Sequence, residues 1–432
     1  MKNINNINLN IINIIFIMFP LSFIFGNFYI NLNVIFLIFF GFIFYKEKII
    51  KFKIDFIDKI VIIFFFYTFI TLAINIFEGY LANEIFSKLI ISKTFMYLRY
   101  LIFYLVLRVL VSQNILRLDW FSKICSIFAI FVCLDIFIQY YFGKDIFGIE
   151  PVKALTDGIF IARHYSGLFR EEYIAGGYLQ KFSLFCFFLP FIIKKKIFYK
   201  ILIQSSFLLF FIFGIILSGN RMPFFLFILA FFLYLLLDKS LRKHIFIFFI
   251  ITFLSFILSY KIFPQVSYNM SNFYYNGQKL VKTFFIKDLT EEPFETWNSP
   301  YVTEFYCFKY NWKRNPIFGG GIRSFRDTAG CGSHPHNYYF EILTELGVVG
   351  LSIILFLVFS ILYRYFVNIN STFQSNLNLK NSELNILPFF LVLVVEFFPL
   401  RTSGSFFSTG NSTIIFFFLA IFVSFISNKK TL

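Results

Sequence analysis

The amino-acid sequence predicts an all-α polytopic membrane protein of about twelve transmembrane helices, and three observations predict it. Of 432 residues, 59 % are hydrophobic and only 14 % are charged, where a soluble domain of this length carries roughly a quarter charged residues. Apolar runs of about 20 residues recur from one end to the other, long enough to cross a hydrocarbon core of about 30 Å. The Lys and Arg residues stand at the ends of those runs rather than on one face or in one tail. In lipid a helix satisfies its own backbone hydrogen bonds, so spans of this length are helices. No soluble domain is left over, and residues 1–432 read as a single integral membrane domain.

Spans are placed near 8–26, 28–45, 60–77, 94–111, 121–142, 175–193, 198–217, 222–237, 244–263, 336–363, 385–400 and 411–427. The first could mimic a signal peptide, since Lys2 precedes an apolar run. It lacks a small-x-small cleavage site and leads straight into further spans, so it reads as a helix. The fourth is unusual in containing Arg99 and Arg108. Taking successive gaps as outer and inner alternately puts every compact basic cluster on one side. These are Lys46/Lys48/Lys51/Lys53/Lys59, Arg108/Arg117/Lys123, Lys194/Lys195/Lys196/Lys200, Lys239/Arg242/Lys243 and Arg364/Lys380, with Lys2, Lys429 and Lys430 at the termini. That is the bias set by membrane insertion and by anionic lipid at the cytoplasmic surface. Both termini are then cytoplasmic, and the formal charge of +16 calls for membrane lipid and no nucleic acid.

Two sizeable pieces face outward, 143–174 and the long segment 264–335 between the ninth and tenth spans. Loops of that length are commonly functional, and Trp297, Tyr301, Phe305, Tyr306, Phe308 and Trp312 argue for a packed cap. Cys125, Cys133 and Cys186 sit inside apolar spans, where a thiol behaves as a small hydrophobe. Cys307 and Cys331 share the long outer segment, 24 residues apart. An oxidising compartment would join them in a disulfide; the alternative is two unpaired thiols.

Arginine breaks the insertion bias. Arg163, Arg170, Arg221, Arg314, Arg323, Arg326 and Arg401 fall on the outer side, and a planar guanidinium suits bidentate phosphate binding better than a lysine point charge. Pairing with loop carboxylates or lipid headgroups is the alternative for each. Arg221 is the sharpest case. It follows Ser218-Gly219-Asn220 and precedes Met222-Pro223, and Pro223 suits the first turn of a helix. Helix N–H groups and a guanidinium would therefore converge on an anion. Arg170 stands similarly before the sixth span, beside Glu171 and Glu172. Gly319-Gly320-Gly321 would let backbone approach a ligand closely, with Arg323 following.

Two of the four histidines, His334 and His336, stand together at the outer mouth of a span. No Cys/His/carboxylate set at tetrahedral-site spacing accompanies them, so a metal site is not expected. A neutral imidazole there can take a proton from a sugar hydroxyl; a helix-capping histidine is the plainer reading. His244 starts a span and reads as nothing more.

Three stretches, HPHNYYFEILTELGVVGL (334–351), NPIFGGGIRSF (315–325) and SGNRMPFF (218–225), resemble the signature of the O-antigen ligase and O-antigen polymerase superfamily. The long outer segment before the histidines and the count of about twelve spans resemble it too. On this resemblance the first four helices are filler. The resemblance implies an inverting, metal-independent glycosyltransferase of the GT-C-like class, with no cofactor, at the periplasmic face of a bacterial inner membrane. Its donor is a glycan linked to undecaprenyl diphosphate. The acceptor is lipid A–core for a ligase, the branch the compact histidine and glycine signature most resembles, or another lipid-linked repeat unit for a polymerase. The histidine followed by Asn is the catalytic one, which is His336. Outer arginines hold the diphosphate: Arg221 matches best, Arg170 and Arg323 next, with His334, Asn337, Arg163 and Arg401 completing the substrate-binding set. A transporter or flippase is the rival from another class. Against it, the in-span acids Asp135 and Glu396 appear singly rather than as the pairs of ion-coupled transport. A metal-dependent transferase using Glu171 and Glu172 is a further rival.

Overall fold

The apolar segments become helices wherever the chain is described, and their bends fall where the backbone demands them. The computed structural model describes residues 2–77, 84–156, 159–170, 172–188, 197–286, 300–327, 331–374, 386–401 and 404–428. The first span is a bent pair, α1 (Lys2–Ile17) and α2 (Phe19–Phe25), meeting at 45°. Pro20 lies in the first turn of α2, and its ring cannot continue the helix that precedes it. There follow α3 (Asn27–Ile50), α4 (Phe56–Phe77), α5 (Glu84–Tyr97), α6 (Arg99–Ser112) and α7 (Leu118–Phe142), the last closed by Gly143 in the left-handed conformation. Next come α8 (Ala175–Phe182), running into a 3₁₀ stretch at Ser183–Phe188, then α9 (Ile197–Leu217), α10 (Arg221–Leu237) and α11 (Ile245–Ile262). The long connecting segment forms α12 (Pro264–Ile286) and α13 (Pro300–Arg314). The chain ends with α14 (Tyr338–Gln374), α15 (Leu387–Glu396) and α16 (Thr409–Asn428).

Among the described residues, eight helices are long and apolar enough to cross a membrane, or nine if the bent pair counts as one span. The remaining predicted spans are shorter: α8 with its 3₁₀ extension, the 17-residue α10 and the 10-residue α15. Short apolar helices are tolerated where protein rather than lipid meets their ends, and every residue of α15 except Val394 is buried. Of the α16 span, 78 % is buried, against 22 % for α11. So α16 is the axis of the bundle and α11 its periphery. Phe417 of α16 stacks on Phe19 at 3.7 Å between ring centroids, with Phe121 5.3 Å away.

The all-α polytopic architecture stands, with one small addition: Val152–Thr156 (β1) and Ile159–His164 (β2) pair as a short antiparallel ladder. Two expectations need correction. Arg108 is not part of a basic flank. It is fully buried in α6, where its Nε and Nη2 reach the two oxygens of Asp58 at 2.8 and 3.0 Å. In-span acids do occur as a pair: Glu341 and Glu345, one turn apart in α14, are both buried. Glu341 accepts from the Ser405 hydroxyl and the Phe406 N–H, which ties the loop before α16 to α14.

The glycine run has a packing role. Gly320 and Gly321 donate to the carbonyls of Thr344 and Glu345 at 3.0 and 2.8 Å. A Cβ on Gly319, at φ +76°, would stand 2.4 Å from the backbone of Glu345 and Leu346. A Cβ on Gly347, at φ +65° within α14, would meet Ile317 at 2.1 Å. These glycines let two backbones touch, rather than opening backbone to a ligand. Nor are the early helices filler, since Asn75 of α4 holds Gly319 and Asn315 by hydrogen bonds of 2.9 and 3.1 Å.

Candidate active site

One end of the bundle encloses a cavity of about 1100 Å³. Its walls come from the α2–α3 elbow, α8, the start of α10, α12, α13, the histidine motif and the loop before α16. Three local structures aim side chains into it.

The turn before α10 reverses through Gly219 at φ +74°. The Asn220 side chain then accepts the Gly176 N–H at 2.9 Å and donates to the Tyr173 carbonyl at 2.8 Å. A Cβ at Gly176 would stand 2.5 Å from the Ser218 hydroxyl. Small residues on both sides thus dock this turn onto the start of α8. Helix α10 begins at Arg221, which lines the cavity with its guanidinium 5.9 Å from the Phe273 ring centroid.

The histidine motif forms the second structure. The Asn337 side chain accepts the N–H groups of Tyr339 and Phe340 at 2.9 and 3.2 Å, which caps α14. Its amide donates to the carbonyls of Pro399 and Arg401. His336, one residue earlier, has φ +43°, a backbone state that a non-glycine residue keeps only where its surroundings hold it. The His334 and His336 ring centroids are 4.3 Å apart, and both residues line the cavity. Nδ1 of His334 is 2.8 Å from the Ser333 hydroxyl, while its buried Nε2 has no hydrogen-bond partner among the described residues. Nε2 of His336 is 3.4 Å from a Glu304 oxygen on α13. The structure joins Cys307 of α13 to Cys331 in a disulfide, and Phe308 stacks on Phe340 at 4.2 Å. Helix α13 is thereby fastened to the histidine segment twice.

The third structure is a buried charge cluster in the wall. Glu396, at the end of α15, is in ion-pair contact with Arg401 and stands 3.3 Å from the Lys181 ammonium. It also accepts the Tyr338 hydroxyl at 3.2 Å, and the Arg401 guanidinium lies 4.7 Å from the Tyr338 ring centroid. Lys181 and Arg401 line the cavity. In all, four cations (Lys181, Arg221, Arg326, Arg401) face two carboxylates (Glu172, Glu304) among the described lining residues. With Glu396 counted behind Lys181 and Arg401, a surplus of positive charge remains among the described ionisable groups of the wall.

Protonation fits proton transfer near neutrality. Burial, with His336 and Arg326 nearby, pushes the His334 imidazole down to about 4. Burial likewise lowers His336, so both rings are neutral and able to accept a proton. Burial raises the Glu304 carboxyl to about 7.

Residues 206–355 match the family model described as O-antigen ligase. Over this stretch, about a third of its length, the chain is similar to the O-antigen ligase family. No curated protein matches the chain. The O-antigen ligase stretch runs from α9 into α14 and carries Arg221, Glu304, Arg326, both paired cysteines and both motif histidines. Lys181 and Arg401 line the same cavity from outside the matched stretch.

Of the residues singled out from sequence, the cavity brings together His336, His334, Arg221 and Arg401. Arg170 is exposed, at φ +55°, and Arg323 packs beside the glycine run at φ +81°; neither lines the cavity. Asn337 caps α14 instead of facing the cavity. Arg163 has its backbone in β2, and its side chain lies outside the described residues, as do Glu171 and Trp297. Sequence reasoning passed over Lys181, Glu304, Glu396 as a partner, and His164, which lines the cavity with its ring 4.2 Å from Tyr173. A lysine embedded in the apolar run 175–193 was the one available signal, because a buried ammonium needs a reason.

Proposed function

We propose that this protein is an O-antigen ligase-type glycosyltransferase. It moves a glycan from undecaprenyl diphosphate to a hydroxyl of lipid A–core at the periplasmic face of the bacterial inner membrane, with both termini in the cytoplasm. One observation carries the reading: neutral His336 shares a cavity with Arg221, Arg401 and Lys181, in a chain whose matched stretch is O-antigen ligase. The acceptor hydroxyl attacks the anomeric carbon from the face opposite the diphosphate, which inverts the configuration. Its proton passes to His336 as the new C–O bond forms and the carbon–phosphate oxygen bond breaks. A diphosphate is a weak base when it leaves, so it needs charge stabilisation more than a proton, and the cations of the wall supply that without a divalent metal. The apolar lining, including Phe23, Ile30 and Phe182, suits the first isoprene units of the carrier. Arg170 and Arg323 fit this scheme only as second-rank contacts.

The test is His336→Ala in purified protein. Transfer should fall about 10²–10⁴-fold, the usual worth of a general base, with insertion and thermal stability retained. Normal turnover on lipid-linked glycan would overturn the reading. The compact histidine and glycine signature resembles the ligase branch more than the polymerase branch. Deleting the gene and running the lipopolysaccharide on a gel separates the two, because core without any repeat means ligase and core with a single repeat means polymerase.

A further inference from the structure

The acidic group at ion-pair distance from a motif histidine is Glu304, and nothing in the scheme above uses it. Its carboxylate oxygen stands 3.4 Å from Nε2 of His336. That separation is of the kind that tightens once substrate is bound, since hydrogen bonds of catalytic groups are commonly long in empty sites. Glu304 lies on α13 one turn before Cys307, and Cys331 lies five residues before His336. The Cys307–Cys331 disulfide therefore ties the carboxylate-bearing helix to the imidazole-bearing segment. A second tie runs through Phe308, stacked on Phe340 in the first turn of α14, and Phe305, edge-on to the same ring. His336 itself is held in a left-handed backbone state, with Asn337 capping the helix that follows. Two rigid pieces are thus clasped so that one presents a carboxylate to a particular ring nitrogen of the other.

We propose that Glu304 is a positioning residue: it accepts the Nε2–H of His336 and so leaves Nδ1 as the atom that takes the acceptor's proton. This rests on the reading of His336 as the base. A neutral imidazole has one N–H and one lone pair, and the partner of the first decides where the second points. When the acceptor O–H proton moves to Nδ1, the ring becomes a cation with N–H groups on both sides. In its ionised form Glu304 balances that cation through the transfer, and the Nδ1 proton is later released to water. The cavity places His334 and Arg326 near the pair as the other ionisable groups. Arginine has no acceptor atom, and the buried Nε2 of His334 makes no hydrogen bond to His336, so the Glu304 oxygen at 3.4 Å is the acceptor in place.

Steady-state kinetics of the purified full-length enzyme on lipid-linked glycan test this with Glu304→Gln, Glu304→Asp and His336→Ala. Glu304→Gln should lower kcat about 10–100-fold, the range seen when the partner that orients a reactive imidazole is lost. KM for the donor should stay within about 2-fold. Glu304→Asp should recover part of the loss, and in a His336→Ala background Glu304→Gln should have no further effect. If Glu304→Gln turns over normally while His336→Ala is inactive, the positioning role fails and the base stands. If His336→Ala itself is active, the base reading fails and takes this one with it. A kcat loss that is additive with His336→Ala, or that Glu304→Asp does not relieve, marks Glu304 as structural only and also overturns the proposal.

Discussion

Helix α16 has a cluster of buried charge beside each of its ends, and the two are built differently. Near its last turns Arg108 is closed in on every side. Asp58 takes its Nε and Nη2, while Ser424 and Ser427 accept from Nη1 and Nη2 at 2.9 and 3.1 Å. The Tyr104 hydroxyl donates to Asp58 as well, at 2.5 Å. One cation meets one carboxylate, both fully buried. Near the first turn of α16, by contrast, Glu396 serves both Lys181 and Arg401, and both cations line the cavity. The first cluster is balanced and sealed, and can only hold helices together. The second carries a surplus positive charge beside open space, an arrangement costly in an apolar bundle unless an anion arrives to complete it. Charge balance, more than burial, separates scaffold from site in this molecule.

The largest expected effect follows from breaking the sealed pair. Asp58→Asn leaves Arg108 charged, buried and without the carboxylate it is paired to, which should cost about 3–5 kcal/mol of stability. Thermal unfolding in detergent should show a large drop, while the protein that remains folded keeps wild-type kcat and donor KM. Unchanged stability would mean that water reaches Arg108, and the contrast between the two ends would be lost.

Removing one cation from the open cluster should do the reverse. Lys181→Met leaves Glu396 paired with Arg401 alone, a balanced couple with the Tyr338 hydroxyl still bound. Stability should hold or rise, because the buried ammonium and its desolvation cost are gone. The donor should bind more weakly by about 1.5–3 kcal/mol, the worth of a charged hydrogen bond, read as a rise of about 10–100-fold in KM for lipid-linked glycan. If melting temperature falls and KM stays put, Lys181 belongs to the scaffold after all.

The same contrast explains what the chain's linear order shows and what it hides. Composition makes the bundle legible, since twelve apolar runs cannot be soluble and a helix is the form a run that long takes in lipid. The turn at Ser218-Gly219-Asn220 is legible because part of its cause is local: a glycine takes the left-handed step, and Pro223 suits the first turn of the helix that follows. Pairings across the chain leave no such trace. Glu396 meets Lys181 from 215 positions away, and nothing in the neighbourhood of either announces the other. Gly319 to Gly321 read as a ligand cradle because the helix that needs their bareness, kinked at Gly347, lies a turn and a loop later. The hairpin at 152–164 stayed unread because its strands are short and lie among aromatic and basic residues without clean alternation. Glu304 carries no signal of its own in the sequence, and only the fastening of α13 to the histidine segment brings it to His336.

A substitution that keeps charge and changes only shape gives the smallest and sharpest test, because it can be made at both ends. Arg108→Lys retains the cation but loses the fork that spans both Asp58 oxygens, so stability should fall while donor KM does not move. Arg221→Lys retains the cation at the start of α10, where the helix N–H groups already favour an anion. On a phosphate it loses the bidentate geometry of the fork, so donor KM should rise about 3–10-fold. The packing of the Arg221 guanidinium near Phe273 adds a cation–π contact that a lysine can partly keep, which holds the effect below that of Lys181→Met. Isothermal binding of a short-chain lipid diphosphate, beside thermal melts of both variants, reads the two quantities separately. Should Arg221→Lys lower the melting temperature and spare binding, the guanidinium at the mouth of α10 is another strut, and the anion site must be sought along the Lys181–Arg401 wall alone.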